Sequence, residues 1–162
     1  MKKFLMVLLI LAVIGGSAFA LDWLSYPPPV DGGDFILDIG IGLPYWFSGI
    51  TIPPLFVTGE FALKAIPLSL GGGVAFFGRH NWFQIPVFFR ANWHFPFPVD
   101  WLDFFAGIDI GPYFEIWKGG GFYAGFYYGG HAGAHFYFSK GFGLLVEFGY
   151  PYWLKAGLAF KF

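Results

Sequence analysis

Two histidines raise the first chemical question. His131 and His135 lie in the run Gly129-Gly130-His131-Ala132-Gly133-Ala134-His135. On a helix this spacing would set two metal ligands on one face, but a run so rich in glycine is a poor helix. On a strand the two rings stand about 13 Å apart at roughly 3.3 Å per residue, too far to share one ion. They are expected to be hydrogen-bonding residues facing an interior, with no metal and no cofactor. Serine chemistry needs a base beside the hydroxyl. Beyond residue 20 the serines are Ser25, Ser48, Ser69 and Ser139, none in a G-x-S-x-G context. The glycine runs 71–73 and 119–121 lack the Gly-Lys-Ser/Thr of a phosphate loop. The sequence therefore predicts no catalytic residues and no enzyme.

The remaining candidates are charges. Asp38, Glu60, Lys64, Arg90, Asp103, Asp109, Glu147, Lys155 and Lys161 share one parity within period-two stretches, so all fall on the same face of their strands. Five acids against four bases can neutralise one another. With His131 and His135 they form the expected polar network of a lumen.

The elements that must position them are read from the same alternation. The closing stretch carries Leu154, Ala156, Leu158, Phe160 and Phe162 on one face and Lys155, Gly157, Ala159 and Lys161 on the other. That is a strand with one apolar face. Seven more precede it, at about 34–43, 55–65, 68–77, 82–93, 101–111, somewhere within 122–138, and 142–149. Pro86 is an awkward member of the fourth and favours a bulge. Longer loops are expected at 44–54, with Tyr45, Trp46 and Phe47, and at 112–121. Shorter ones fall at 78–81 and 150–152, and opposite turns at Ile66, 95–98 and 139–141. Aromatics gather at both strand ends. Tyr45, Trp46, Trp82, Tyr113, Trp117, Tyr123, Tyr152 and Trp153 mark one end. Trp93, Phe95, Phe97, Trp101, Phe138, Phe160 and Phe162 mark the other. Interfacial girdles have this distribution.

Composition agrees with a lipid-facing exterior. The chain is 57% hydrophobic, 25% aromatic and only 12% charged, whereas a soluble domain carries about a quarter charged residues. Lipid admits only helices and closed barrels. Glycine and proline run throughout (25 and 12 residues) and disfavour helices. Cysteine is absent, so there are no disulfides and no thiolate metal sites.

At the amino terminus, Lys2 and Lys3, an apolar run over 4–14 and Ala18-Phe19-Ala20 read as a secretory signal peptide cut after Ala20. Its removal leaves seven basic against ten acidic residues, a net charge of −3 and no footprint for nucleic acid. The expected organisation is a leader over 1–20, an irregular lead-in over 21–33 and one barrel domain over 34–162.

With its leader, alternation, girdles and terminal Phe162, the chain resembles small bacterial outer-membrane β-barrels. In that class the barrel-assembly machinery reads a carboxy-terminal Phe as a signal. The resemblance implies an all-β, eight-stranded, antiparallel up-and-down transmembrane barrel in the outer membrane of a diderm bacterium, with lipid and the assembly machinery as partners. An eight-stranded interior is just filled by side chains. The expected function is thus a non-enzymatic envelope role with a plugged polar lumen. The alternatives are a narrow, porin-like passive channel for small or apolar solutes, or a loop-mediated surface adhesin.

Overall fold

Alternating residues with one apolar face have a stable arrangement when the sheet closes on itself and leaves no edge. The computed structural model describes residues 30–44 and 50–162. In it the strands β1 (Phe35–Pro44), β2 (Ile50–Ala62), β3 (Leu68–Arg79), β4 (Trp82–Phe95), β5 (Leu102–Trp117), β6 (Gly121–Ser139), β7 (Phe142–Gly149) and β8 (Tyr152–Lys161) follow in chain order. Each pairs antiparallel with the next, and β8 returns to β1, so the barrel is closed. Phe35 and Phe162 seal that seam by exchanging backbone hydrogen bonds of 3.0 Å in both directions. The expected leader (1–20), most of the lead-in, and Tyr45, Trp46 and Phe47 lie outside the described residues.

The expected eight strands are present, but several bounds differ. The stretch 112–121, read as a loop, is mostly strand. β5 continues to Trp117, β6 begins at Gly121, and only three residues turn between them. Gly119 and Gly120 supply that turn with positive φ values of 117° and 91°, a region open to glycine. The length expected as loop is therefore built as hairpin. β2 likewise starts at Ile50, within the expected loop, with register shifts between Ile50 and Leu55. Pro86 causes no bulge: Ile85 and Pro86 pair with Phe114 and Tyr113 in the same register that holds from Phe89 onward. The missing proline N–H is accommodated by a lapse in the β3 ladder between Val74↔Val87 and Phe77↔Gln84.

The outer face is apolar: Ile41, Phe89, Ile108 and Phe126 are 51%, 75%, 56% and 67% exposed. Inside, Phe56, Ala75, Phe88, Phe105, Tyr127, Leu145 and Tyr152 form one buried cluster, with Phe77 and Tyr113 packed against it. Tyr152 and Tyr113, expected in a girdle, thus point into the barrel. The register shift between Leu43 and Pro44 pairs Tyr152, rather than Trp153, with Pro44 and turns Tyr152 inward. At the rim where β1 begins, here the near rim, Val30 of the lead-in packs with Ile36 and Ala62.

Candidate functional site: a buried polar network in the lumen

The alternation of β1, β2, β4, β5, β6, β7 and β8 turns Asp38, Glu60, Arg90, Asp103, Asp109, His131, His135, Glu147 and Lys155 inward, all buried. Two expected members stand elsewhere. Lys64 is exposed, because β2 ends at Ala62, where the backbone of Gly33 and Asp34, just ahead of β1, bonds to Ala62 and ends the ladder. Lys161 lies half-buried at the near rim, its ammonium 4.0 Å from Asp34 and 4.6 Å from the centre of the Tyr137 ring. The lumen therefore holds five acids against only two of the expected bases, Arg90 and Lys155.

Arg90 organises the far half. Its Nε and one terminal nitrogen donate to the two oxygens of Asp109 at 2.8 Å each, and the other nitrogen donates to Glu147 at 2.9 Å. The bidentate fork is the strong form of this pair. Glu147 also pairs with Lys155, whose ammonium lies 3.8 Å from Asp109. Asp109, His131 and Glu147 each offer a donor atom within 4.8 Å of the others. Arg90 and Lys155 both set positive charge against the two carboxylates of this cluster.

The near half contains residues that the sequence reading did not assign to a site. His131 Nε2 meets Asn92 Oδ1 at 2.6 Å, and Asn92 donates to both oxygens of Glu60 at 2.9 Å. Ser69 donates to Glu60. His94 lies 2.9 Å from Ser69 Oγ and 3.0 Å from Asp103. Asp103 also meets His135 Nδ1 at 2.9 Å, and the other ring nitrogen of His135 lies 3.3 Å from Asp38, to which Thr58 donates. Polar contacts thus run without a break from Lys155 to Thr58. His94 was legible by carrying the parity of Arg90 and Asn92 two residues further; ending the strand at Trp93 hid it.

Ser69, His94 and Asp103 have the order of nucleophile, base and orienting acid, an arrangement that G-x-S-x-G matching does not detect. Ser69 is 0% exposed, however, and gives its hydrogen to Glu60. No substrate carbonyl has access to it. His131 and His135 do not meet; each joins a different carboxylate group, in keeping with their spacing along the strand. Gly107 makes room for the centre of the network, since a Cβ there would collide with Asn92 Oδ1 and lie 2.9 Å from His131 Nε2. On the outer face an open apolar groove runs past Leu70, Gly72, Val87, Phe89 and Ile108.

No protein-family model matches the chain, and no curated protein does. Solved structures do. The N-terminal β-barrel domain of Pseudomonas aeruginosa OprF aligns over 82% of this chain and 98% of its own, with a TM-score of 0.61 at 13% identity. The outer membrane protein OprG of the same organism aligns over 84% and 99%, with 0.55 at 10%. A de novo designed transmembrane β-barrel aligns over 84% and 100%, with 0.55 at 15%. Identity this low carries the fold alone, and the fold of this chain is that of the small, eight-stranded, antiparallel transmembrane β-barrels.

Proposed function

We propose that this protein is an integral, non-enzymatic component of the outer membrane of a diderm bacterium, exported by its leader and holding a closed rather than conducting lumen. The observation that carries the reading is the inversion of polarity. Five acids, Arg90 and Lys155 are buried inside, while Phe89, Ile108 and Ile41 face outward at 75%, 56% and 51% exposure. In water this arrangement would expose the apolar face; in lipid it places every buried charge away from hydrocarbon. Above the ion pairs, Phe88 stacks with Tyr127 at 5.2 Å and Phe77 meets Tyr152 edge-on at 5.9 Å, filling the section a solute would have to cross. The test is a gel comparison of boiled and unboiled protein in detergent, followed by planar-bilayer recording. A mobility shift with sealed bilayers is expected. Steady unitary conductance would replace this reading with the narrow channel.

The β5–β6 hairpin favours a second reading, surface adhesion. Its outward residues Phe122 and Phe138 are separated by sixteen positions, roughly 40 Å along the barrel axis at about 3.3 Å per residue and a tilt near 40°. The lipid-facing band of such barrels is about 25 Å tall. β7 reaches β6 only as far as His131, so β6 residues 121–129 stand above the β7 wall, and Phe122 and Tyr123 at the tip are 68% and 54% exposed. Binding of whole cells to host-matrix proteins, lost when residues 115–124 are replaced by a short turn, tests it.

A further inference from the structure

The far end of β6 has a strand on one side only. β5 pairs with it from Gly121 to Phe136 in an unbroken register. β7 pairs with it only from His131 onward, and the Tyr150 N–H closes that ladder on the Gly130 carbonyl at 2.9 Å. Backbone groups of successive residues point to opposite sides of a strand. Since Gly130 faces β7, Phe122, Ala124, Phe126 and Tyr128 also turn their N–H and C=O groups away from β5. Among the described residues no strand pairs with them on that side. Exposed edges are ordinarily blunted by charge, proline or a bulge. Residues 119–130 contain no proline and no Asp, Glu, Lys or Arg, so this edge is open to an added strand.

The edge is also complementary to itself. Let two copies pair antiparallel about a two-fold axis at Ala124. Phe122 of each then meets Phe126 of the other, Ala124 meets its own counterpart, and all of them exchange backbone hydrogen bonds. On the outer face this sets an aromatic pair to either side of a small centre. On the inner face Tyr123 meets Gly125 and Tyr127 meets Gly121, a ring against a glycine at each place. The same register ends the copy's turn at Gly119 opposite Gly129, just short of Gly130, where Tyr150 stands. Sliding the copies deeper would run that turn into Tyr150. We propose that residues 122–126 of β6 form a homotypic docking strand that joins two copies of this chain by antiparallel strand addition. β6 runs from the far rim to the near rim in every copy. Copies in one membrane therefore present parallel edges, and the antiparallel pairing joins copies in two facing membranes. The inference rests on the adhesion reading above, in which the hairpin tip stands clear of lipid, and makes a second copy its partner.

The chain has no cysteine, so single cysteines report the register. The protein is refolded in micelles, where copies orient freely, then oxidised and run on a gel without reductant. Ala124→Cys is expected to convert to a disulfide-linked dimer, because directly opposed residues stand within the span a disulfide bridges. Phe122→Cys alone should stay monomeric, its two copies lying about 13 Å apart at roughly 3.3 Å per residue. Mixed with Phe126→Cys it should link. Proteoliposomes test the facing membranes. Wild-type vesicles are expected to cluster in light scattering. Ala124→Pro removes an edge N–H that β5 does not use, so it should lose the clustering and keep the mobility shift on boiling. Ala124→Cys that links no faster than Phe122→Cys overturns the proposal and leaves the barrel reading standing. Wild-type vesicles that stay dispersed, or cluster no more than those with Ala124→Pro, do the same. Capture of a foreign extended peptide by barrels that stay monomeric also overturns it. Absence of the mobility shift in the wild type overturns both.

Discussion

Arg90 and Asp109 are direct register partners on neighbouring strands, and they join across the β4–β5 ladder through two parallel hydrogen bonds of 2.8 Å. Register and side-chain fork thus enforce each other: a slip of one residue in this ladder would set the two charges on opposite faces of the sheet and break the fork. The pair links the wall of the barrel to its contents.

Removing one partner leaves the other buried and unpaired. Arg90→Ala is expected to lower stability by about 3–5 kcal/mol, since Asp109, Glu147 and Glu60 all lose a cation. Arg90→Lys recovers only part, because an ammonium cannot reproduce the fork. Urea-unfolding midpoints in micelles check the order wild type, Lys, Ala; equal midpoints for Lys and wild type would refute the role of the fork.

Gly107→Ala tests the space beneath Asn92 and His131. The added methyl collides with the Asn92 amide and the Ala91 carbonyl, so the 2.6 Å bond to His131 must break. A loss of about 1–3 kcal/mol is expected from the unsatisfied groups. Gly130→Ala is the control, since nothing lies within 4 Å of its added carbon, and its unfolding midpoint should hardly move.

How far the site was legible follows from which residues alternate cleanly. β7 reads as Phe142, Leu144, Val146 and Phe148 against Gly143, Leu145 and Glu147, and its bounds agree with the structure at both ends. Parity also turned seven of the nine expected charges inward. It did not place Lys64, because a strand ends where its ladder ends, and the backbone bonds of Gly33 and Asp34 to Ala62 are long-range contacts without a local signature. Glycine, proline and aromatics serve loops and strands alike, so residues 112–121 at the tip of the β5–β6 hairpin read as a loop. The partners within the network, Ser69 with His94 and Asp103 with two histidines, depend on which residues face one another across a closed lumen. Period two gives a face and no neighbour.

The height of the lipid belt can be read with charges. Phe89 of β4, 75% exposed, pairs with Ile110 in the middle of the wall, whereas Phe122, 68% exposed, sits at the tip of β6 beyond the end of β7. Exposure alone ranks them as equals; only the surrounding medium separates them. An arginine near the bilayer midplane costs about 2–4 kcal/mol and falls toward 0–1 near the interface. Phe89→Arg is therefore expected to lower stability in lipid vesicles by that larger amount, and Phe122→Arg by under about 1 kcal/mol. Equal, small losses at both positions would mean that water, not lipid, bathes the barrel wall. That outcome would remove the basis for a membrane protein altogether, because the same apolar exterior would then need another protein to cover it.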